Sequence, residues 1–509
     1  MNDTSIYSQI ILSKTGIEVP VFTSGKTVES RYDPERESAR QLDQIKPDSH
    51  FIIVLGIAGG SLINAIFVNR PDTFILAVET NQADIEFLKK LPVVNKLSGQ
   101  KRIEFCTIEN LENKIIELYV PSFYGNLQII EQRGWTLENQ DYIPQINSSI
   151  NKAVGIVSAD YSVQSHFGKL WQHNILSNIT HINNACDIQK LPVEKTALIV
   201  AAGPSLDKTI QTIKSKLDSF YIIATDTALS ILTSYNIIPQ CVISIDGQNI
   251  SKTHFIHSNT FDFSNTLFLF DLCANSSAVN TVLNSQGKLC FFTSGHPLCE
   301  YINRHFSLNL PALFSGSGTV TISAVDFAVK ADFKNIQVAG ADFSYSNGKP
   351  YAKGTYLDRL YNQKSNKLYS IQKQFSALEY RTQLIADNNS YTTQILQAYK
   401  YSFEQYLQNK GFDFSKDCEL YKIKCTGEQN EIINTTTQSQ NGQLILKELY
   451  KIFSSKKSKN FNSIFDLDES DICLLPLISW LRNNDNKERN DFIYFYEKAL
   501  NLCSKAGGN

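Results

Sequence analysis

An apolar run that ends in a glycine turn and opens directly into a helix constrains this chain more than any other feature: Thr196-Ala-Leu-Ile-Val-Ala-Ala-Gly-Pro-Ser-Leu-Asp207. Ala197–Ala201 has the continuous hydrophobicity of a strand buried on both faces of a parallel sheet, where no alternation is needed because neither face meets water. Gly203 allows a tight turn, Pro204 stands where a helix tolerates proline, and Ser205 is a residue type that caps. The following helix, about Leu206 to Leu217, aims its unpaired N–H groups and the positive end of its dipole at the turn. An anion gains about 0.3–1 kcal/mol there from the dipole alone. The turn is shorter than a P-loop and lacks the lysine that a P-loop lays on the β- and γ-phosphates, and an ordinary strand-to-helix turn satisfies the same pattern.

The chain has 509 residues, of which 42% are hydrophobic and 19% charged, with a net charge of -2. That balance suits two to four domains with ample core, and it excludes a basic nucleic-acid binder and a disordered acidic or basic tail. Met1–Val19 has no apolar signal region and no run approaches the ~20 apolar residues that span a bilayer, so a cytoplasmic protein without a membrane span is expected. The ten cysteines are scattered with no Cys-x-x-Cys pair and no cysteine/histidine set at zinc spacing. Buried thiols are expected rather than disulfides or a metal site.

Two α/β units follow one another. The first opens at Phe51-Ile-Ile-Val-Leu-Gly-Ile-Ala-Gly-Gly-Ser61, like a Rossmann-like methyltransferase domain, with Gly56, Gly59 and Gly60 forming the turn and Glu79, at the end of the next strand, placed for a ribose. With no further cofactor motif downstream, a scaffold is the plainer expectation for this unit. Within Asp160–Asn183, Phe167, Leu170, Trp171, Ile175, Leu176 and Ile179 recur at spacings of three and four, the mark of an amphipathic linker helix. The second unit has apolar runs at Ala197–Ala201, Tyr221–Thr225, Cys241–Ile245, Leu267–Phe270, Leu289–Thr293 and Ile336–Ala339, which predict a mostly parallel, doubly wound sheet. Beyond about Ser370 the pattern is mainly helical, with Asn434–Gln443 as a polar linker. The expected division is a Rossmann-like domain over 1–155, a linker helix over 156–194, a central nucleotide-sugar domain over 195–365, and a helical region over 366–509.

In a doubly wound sheet ligands sit at the carboxyl ends of the strands, so the residues after each apolar run are the candidates. These are Ala202, Gly203, Pro204 and Ser205 after the first; Asp226 after the second; Asp246 after the third; Gly316, Ser317, Gly318 and Thr319 before a further helix; and Asp342 after the last. Any one is explained as a cap or turn. Five such positions at one sheet edge point to a ligand site.

Several segments together resemble the motility-associated factor (Maf) family of flagellin glycosyltransferases: Phe167-Gly-Lys-Leu-Trp-Gln-His-Asn-Ile-Leu-Ser-Asn178, the Ala-Gly-Pro-Ser-Leu turn, Asp226-Thr-Ala-Leu, Ile238-Pro-Gln-Cys-Val-Ile-Ser-Ile-Asp246 and Ala339-Gly-Ala-Asp-Phe343. The central domain of that family is similar to bacterial sialyltransferases that use CMP-sialic acid and to 6-hydroxymethylpterin diphosphokinases. The resemblance implies a CMP-activated nonulosonic (sialic-type) acid as donor and serine or threonine hydroxyls of flagellin as acceptor, with no permanently bound cofactor, no metal and no nucleic acid. It places Tyr345 and Tyr351, in Asp342-Phe-Ser-Tyr-Ser-Asn-Gly-Lys-Pro-Tyr351, as phenolic donors to the departing phosphate, and Ser317-Gly318 at the donor. Asp342, Asp226 and Asp246 remain for the ribose, a sugar substituent or the acceptor proton. Ala202 stands where the sialyltransferases have asparagine, and their catalytic histidine has no counterpart, His305 being the last histidine. The same sheet admits two alternatives. One is a diphosphokinase using ATP, with magnesium on Asp226 and Asp246; the other is a catalytically inactive flagellin-binding scaffold.

Overall fold

The computed structural model describes every residue except 1–3, 189, 256–259, 317, 347, 388–389, 418, 426–440, 457–460, 462, 486–491 and 506–509. Its architecture is α/β, and the chain divides into two units, one of residues 1–169 with 450–509 and one of residues 170–449. The continuous apolar runs become the parallel strands, because only a sheet covered on both faces buries residues without alternation.

In the first unit β1 (Tyr7–Leu12) and β2 (Glu18–Phe22) pair antiparallel. β3 (Ser49–Leu55), β4 (Phe74–Glu79), β5 (Ile103–Thr107) and β6 (Asn126–Glu131) form a parallel sheet in the order β5-β4-β3-β6. Its Rossmann-like mouth is filled by the protein itself. A Cβ at Gly56 would stand 2.6 Å from the Trp135 ring, and one at Gly59 2.6 Å from a Glu29 carboxylate oxygen. Glu79, the ribose candidate, is fully buried: its Oε1 accepts from Tyr7 Oη (3.0 Å) and the Ile57 amide (2.7 Å), and its Oε2 from Trp135 Nε1 (2.8 Å). Each donor that would turn Glu79 toward a ligand is internal, so the residue holds the turn together.

The last segment of the chain belongs to this unit. Arg482 Nε donates to the Ser122 carbonyl at 2.7 Å, the Ile464 amide donates to Tyr124 Oη at 3.1 Å, and the Phe123 and Phe492 rings pack tilted at 40° with centroids 4.4 Å apart. Local pattern reads 366–509 as one helical region; long-range contacts divide it between the units.

The second unit contains β7 (Thr196–Val200), β8 (Phe220–Thr225), β9 (Cys241–Ser244), β10 (Leu267–Asp271), β11 (Lys288–Phe292) and β12 (Asn335–Ala339). The small hairpin β13 (Ile385–Asp387) and β14 (Ser390–Thr392) follows, and then β15 (Asp413–Asp417) and β16 (Leu420–Lys424). The eight-stranded sheet runs β11-β10-β9-β8-β7-β12-β16-β15, parallel from β11 to β12, with β16 antiparallel to β12 and β15 antiparallel to β16. β13–β16 therefore lie inside the stretch that sequence pattern reads as helical. The reason is their shortness and charge: in β16 only Tyr421 and Ile423 turn inward, each 2% exposed, while the lysines face out. Such short, lysine-bearing strands are what blunts a sheet edge. The helix Val320–Lys330 packs on β7, β8 and β9 and is buried from Thr321 to Val329.

The amphipathic set around Trp171 lies on a single helix, Ile143–Ile179, that starts earlier and ends sooner than 156–194. Its Asn174 and Asn178, one turn apart, tie down the loops after β9 and β10. Asn174 Nδ2 donates to the Gly247 and Cys273 carbonyls at 3.0 Å each, and Asn178 Nδ2 to those of Leu272 (3.0 Å) and Ala274 (2.8 Å). No helix among the described residues is long and apolar enough to cross a membrane.

Burial raises Glu29 and Glu79 each from 4.5 to about 7. A carboxyl raised in the folded state keeps a proton that the unfolded chain has released, so its contribution is most favourable below about pH 4.5 and falls as pH rises through about 7, by at most about 3 kcal/mol. Glu29→Gln removes one of these titrations. Urea unfolding of the full chain at pH 5 and pH 8 is expected to show the variant gaining on the wild type as pH rises; a pH-independent difference would refute the buried-carboxyl account.

Candidate active site

The second unit's strand order reverses between β7 and β12, since β8 to β11 step away on one side and β12 lies on the other. Both strands end in glycine turns that touch. The Ala201 amide donates to the Ala339 carbonyl and the Gly203 amide to the Gly340 carbonyl, both at 2.8 Å. A Cβ on Gly203 would overlap the Gly340 carbonyl oxygen, and one on Gly340, whose φ is +70°, would overlap the Ala201 carbonyl. A branched residue at Gly203 is thus a packing fault before it is a binding fault.

The expected anion at the N-terminus of the helix Leu206–Lys214 is supplied by the chain. Asp342 Oδ2 accepts from the Ser205 amide at 2.7 Å. Asp342 is placed by the turn after β12, where Phe343 holds φ at +53°, a conformation costly for a non-glycine residue. The Ser205 hydroxyl is buried with no partner among the described residues, and the Ala202 carbonyl accepts from the Ala352 amide at 2.9 Å, tying the following loop to the first turn.

A cavity of about 680 Å³ opens at this crossing point. Of the candidate residues it is lined by Ala202, Gly203, Gly318, Thr319, Asp342, Tyr345 and Tyr351. Thr319, Val320 and Thr321, the first residues of the helix Val320–Lys330, line it as well, so this second helix N-terminus faces the cavity while the first is capped by Asp342. Tyr345 is held by a bridge to β14: its amide donates to the Tyr391 carbonyl at 2.6 Å and its carbonyl accepts from the Tyr391 amide at 3.0 Å. Burial pushes the phenol of Tyr351 well up, with Tyr356 and Asp226 adding to the effect, and raises Tyr345 with Glu379 adding. Both are therefore neutral hydrogen-bond donors over the physiological range.

The other described candidates do not line the cavity. Asp226 heads the helix Asp226–Ser234; its Oδ1 accepts from the Thr227 amide (2.6 Å) and hydroxyl (3.0 Å), and its Oδ2 from the Ser244 hydroxyl (2.6 Å). Asp246 accepts from the Gln248 amide at 2.9 Å; burial and then the Asp226 charge raise its carboxyl, against the pull of that amide and of His254. Pro204 and Ser205 belong to the turn. Gly316, at φ +55°, packs where a Cβ would meet Ile322 and Ser402. Ser317 lies outside the described residues.

Sequence pattern missed the helix that completes the wall. Tyr356, Leu357, Leu360 and Tyr361 all line the cavity from the helix Tyr356–Lys364, and Tyr399 reaches it from the helix Gln394–Asn409. The i, i+1, i+4, i+5 spacing of the first four was a readable stripe, but it also fits plain core packing. Burial raises the phenols of Tyr356 and Tyr399, with Asp246 contributing to both. Lys364 and Arg381 are the two cations of the lining, and both are exposed.

Residues 173–348 match the family model described as 6-hydroxymethylpterin diphosphokinase MptE-like, and so carry the diphosphokinase-like part of the resemblance. Two Treponema pallidum (strain Nichols) proteins, both described as uncharacterized, are similar to the chain. One is 40% identical over 141 residues, 27% of this chain and 50% of its own length; the other is 35% identical over 164 residues, 31% of this chain and 77% of its own length. The match to the first thus spans half of that relative. A solved structure described as a MAf glycosyltransferase from Magnetospirillum magneticum AMB-1 is 11% identical with a TM-score of 0.46, over 98% of this chain and 86% of that one. A likeness of that depth transfers no residue's role.

The touching turns set a stability test. Gly340→Ala adds left-handed strain and an overlap with the Ala201 carbonyl, and is expected to cost about 2–4 kcal/mol. Asp342→Ala removes the cap of one helix and is expected to cost about 0.5–2 kcal/mol. Urea unfolding of the full chain measures both, and a neutral Gly340→Ala would show that the two turns are not in contact.

Proposed function

Given that the chain belongs to one family with the second of these Treponema pallidum relatives and carries an MptE-like domain, we propose that it is a glycosyltransferase that moves a nonulosonic (sialic-type) acid from CMP to serine or threonine hydroxyls of flagellin. The observation that supports this most is the composition of the cavity wall. Tyr345, Tyr351, Tyr356, Tyr361 and Tyr399 line it together with one helix N-terminus, while its two cations are exposed. Neutral donors and amide dipoles suit a leaving group whose negative charge grows as the bond to carbon breaks.

In the transfer, the acceptor oxygen bonds to the anomeric carbon while the bond from that carbon to the phosphate oxygen breaks and its electron pair leaves with CMP. Tyr345, Tyr351 and the N-terminus of Val320–Lys330 would receive the phosphate. The acceptor proton needs a base, and Asp342 is the one carboxylate of the three candidates that lines the cavity. Its Oδ2 is held by the Ser205 amide, which fixes the carboxylate's orientation. Aromatic faces such as Tyr399 and Tyr356 suit the cytosine ring.

The diphosphokinase reading draws on the family model's description. It needs Asp226 and Asp246 to hold magnesium, yet the oxygens of Asp226 already accept from Thr227 and Ser244. Thermal-shift measurement with CMP, a CMP-sialic acid, and ATP with magnesium separates the two. Stabilisation by the cytidine compounds is expected, amounting to about 2.7 kcal/mol at 100 times the dissociation constant. Stabilisation by ATP with magnesium alone would overturn the glycosyltransferase.

Tyr351→Phe is expected to leave CMP affinity nearly unchanged and to slow single-turnover transfer to purified flagellin by about 10²-fold, since the hydroxyl acts mainly as charge develops on the phosphate. Unchanged turnover would remove this loop from the mechanism.

A further inference from the structure

Cysteine spacing along the chain gives no zinc signature, but folding brings three ligand-type side chains together outside the cavity. Cys273 lies in the loop after β10, and His296 and Cys299 follow β11, the latter in the first turn of the helix Pro297–His305. One ligand atom from each lies within 4.8 Å of the other two, and all three residues are buried. We propose that Cys273, His296 and Cys299 bind a zinc ion that ties the β10 and β11 loops together.

Three observations carry this. The two sulfurs are 3.6 Å apart. Tetrahedral zinc with bonds of about 2.3 Å places two thiolates roughly 3.8 Å apart, whereas a disulfide needs about 2.05 Å. His296 Nε2 is buried with no hydrogen-bond partner among the described residues, an arrangement that costs free energy unless something ligates it. Third, the donor set is two thiols and an imidazole, which selects zinc over magnesium or calcium.

Cys299 sits in the first turn of its helix, beside the other two ligand atoms. Trp171 packs edge-on against the His296 ring, centroids 5.7 Å apart. Asp271 Oδ1 accepts from the Cys273 amide at 2.6 Å and holds that loop. Ligation through Nε2 puts the ring proton on Nδ1, so the 3.2 Å bond that Nδ1 accepts from the Leu298 amide is given up. One neutral hydrogen bond is thereby exchanged for a metal–nitrogen bond. Charge balances: the two thiols release two protons as one Zn²⁺ binds, and a water completes the tetrahedron. No electron is transferred.

The test uses the full chain purified without chelator. About one zinc per chain by elemental analysis is expected, and titration of the metal-free protein with Co²⁺ is expected to give thiolate-to-cobalt charge transfer with the intense visible bands of a tetrahedral site. Cys299→Ser should weaken zinc at least tenfold, while Cys290→Ser, at a buried cysteine outside the cluster, should not. Should Cys299→Ser fail to fold, the cobalt spectrum of the wild type still decides. Zinc below about one tenth per chain together with no charge-transfer band would overturn the proposal, as would a Cys273–Cys299 disulfide in the freshly purified protein.

Discussion

Two carbonyls and two glycines at the crossing of β7 and β12 govern the second unit. With the Gly203 amide on the Gly340 carbonyl, neither strand end has room for a side chain, and the chain after each must leave in a fixed direction. After β7 it enters the helix Leu206–Lys214; after β12 it delivers Asp342 onto the Ser205 amide at that helix's N-cap and then forms the tyrosine loop. The cavity exists because adjacent strands hand their chains to opposite sides at this point. The helix dipole that an outside phosphate would have used is answered internally by Asp342, and the helix N-terminus left facing the cavity is the one at Thr319–Thr321.

The two units share a backbone motif and differ in what packs over it. Both have a parallel sheet, a glycine turn after a central strand and an acidic residue after a neighbouring one. In the first unit Trp135 and Glu29 pack directly against Gly56 and Gly59 of the turn, and Glu79 accepts from Tyr7, Ile57 and Trp135. In the second unit the residues over the turns are Ala202, Gly318 and a loop that holds its phenols beside the opening.

That difference marks the limit of what the chain discloses in one dimension. The six parallel strands of the second unit were legible to within a residue or two, because a run buried on both faces has no other way to satisfy its apolar side chains. Asp342 was legible as a polar residue after the last strand, but its bond to Ser205 was not: the two are 137 positions apart and only the sheet's strand order makes them neighbours. The zinc candidate hid for the same reason, with Cys273 on one strand's loop and His296 and Cys299 on the next. β15 and β16 escaped because Asp-Phe-Ser-Lys-Asp and Leu-Tyr-Lys-Ile-Lys bury so few residues that periodicity has nothing to register.

Under the proposed function, a phenolic wall suits a CMP-sugar donor because of what such a site must avoid. A donor phosphate is already an anion in the ground state, so buried lysines or arginines would grip substrate and leaving group alike and gain little in rate. A neutral hydroxyl interacts modestly with the delocalised ground-state charge and more strongly with the charge localised as the bond breaks. It keeps that property only while it stays protonated. Burial of Tyr351, reinforced by Tyr356 and Asp226, raises its phenol far from physiological pH, and the Asp246 charge acts likewise on Tyr356 and Tyr399. The Asp226 and Asp246 carboxylates, held by Thr227, Ser244 and Gln248, add to the rise of these phenols without lining the cavity themselves.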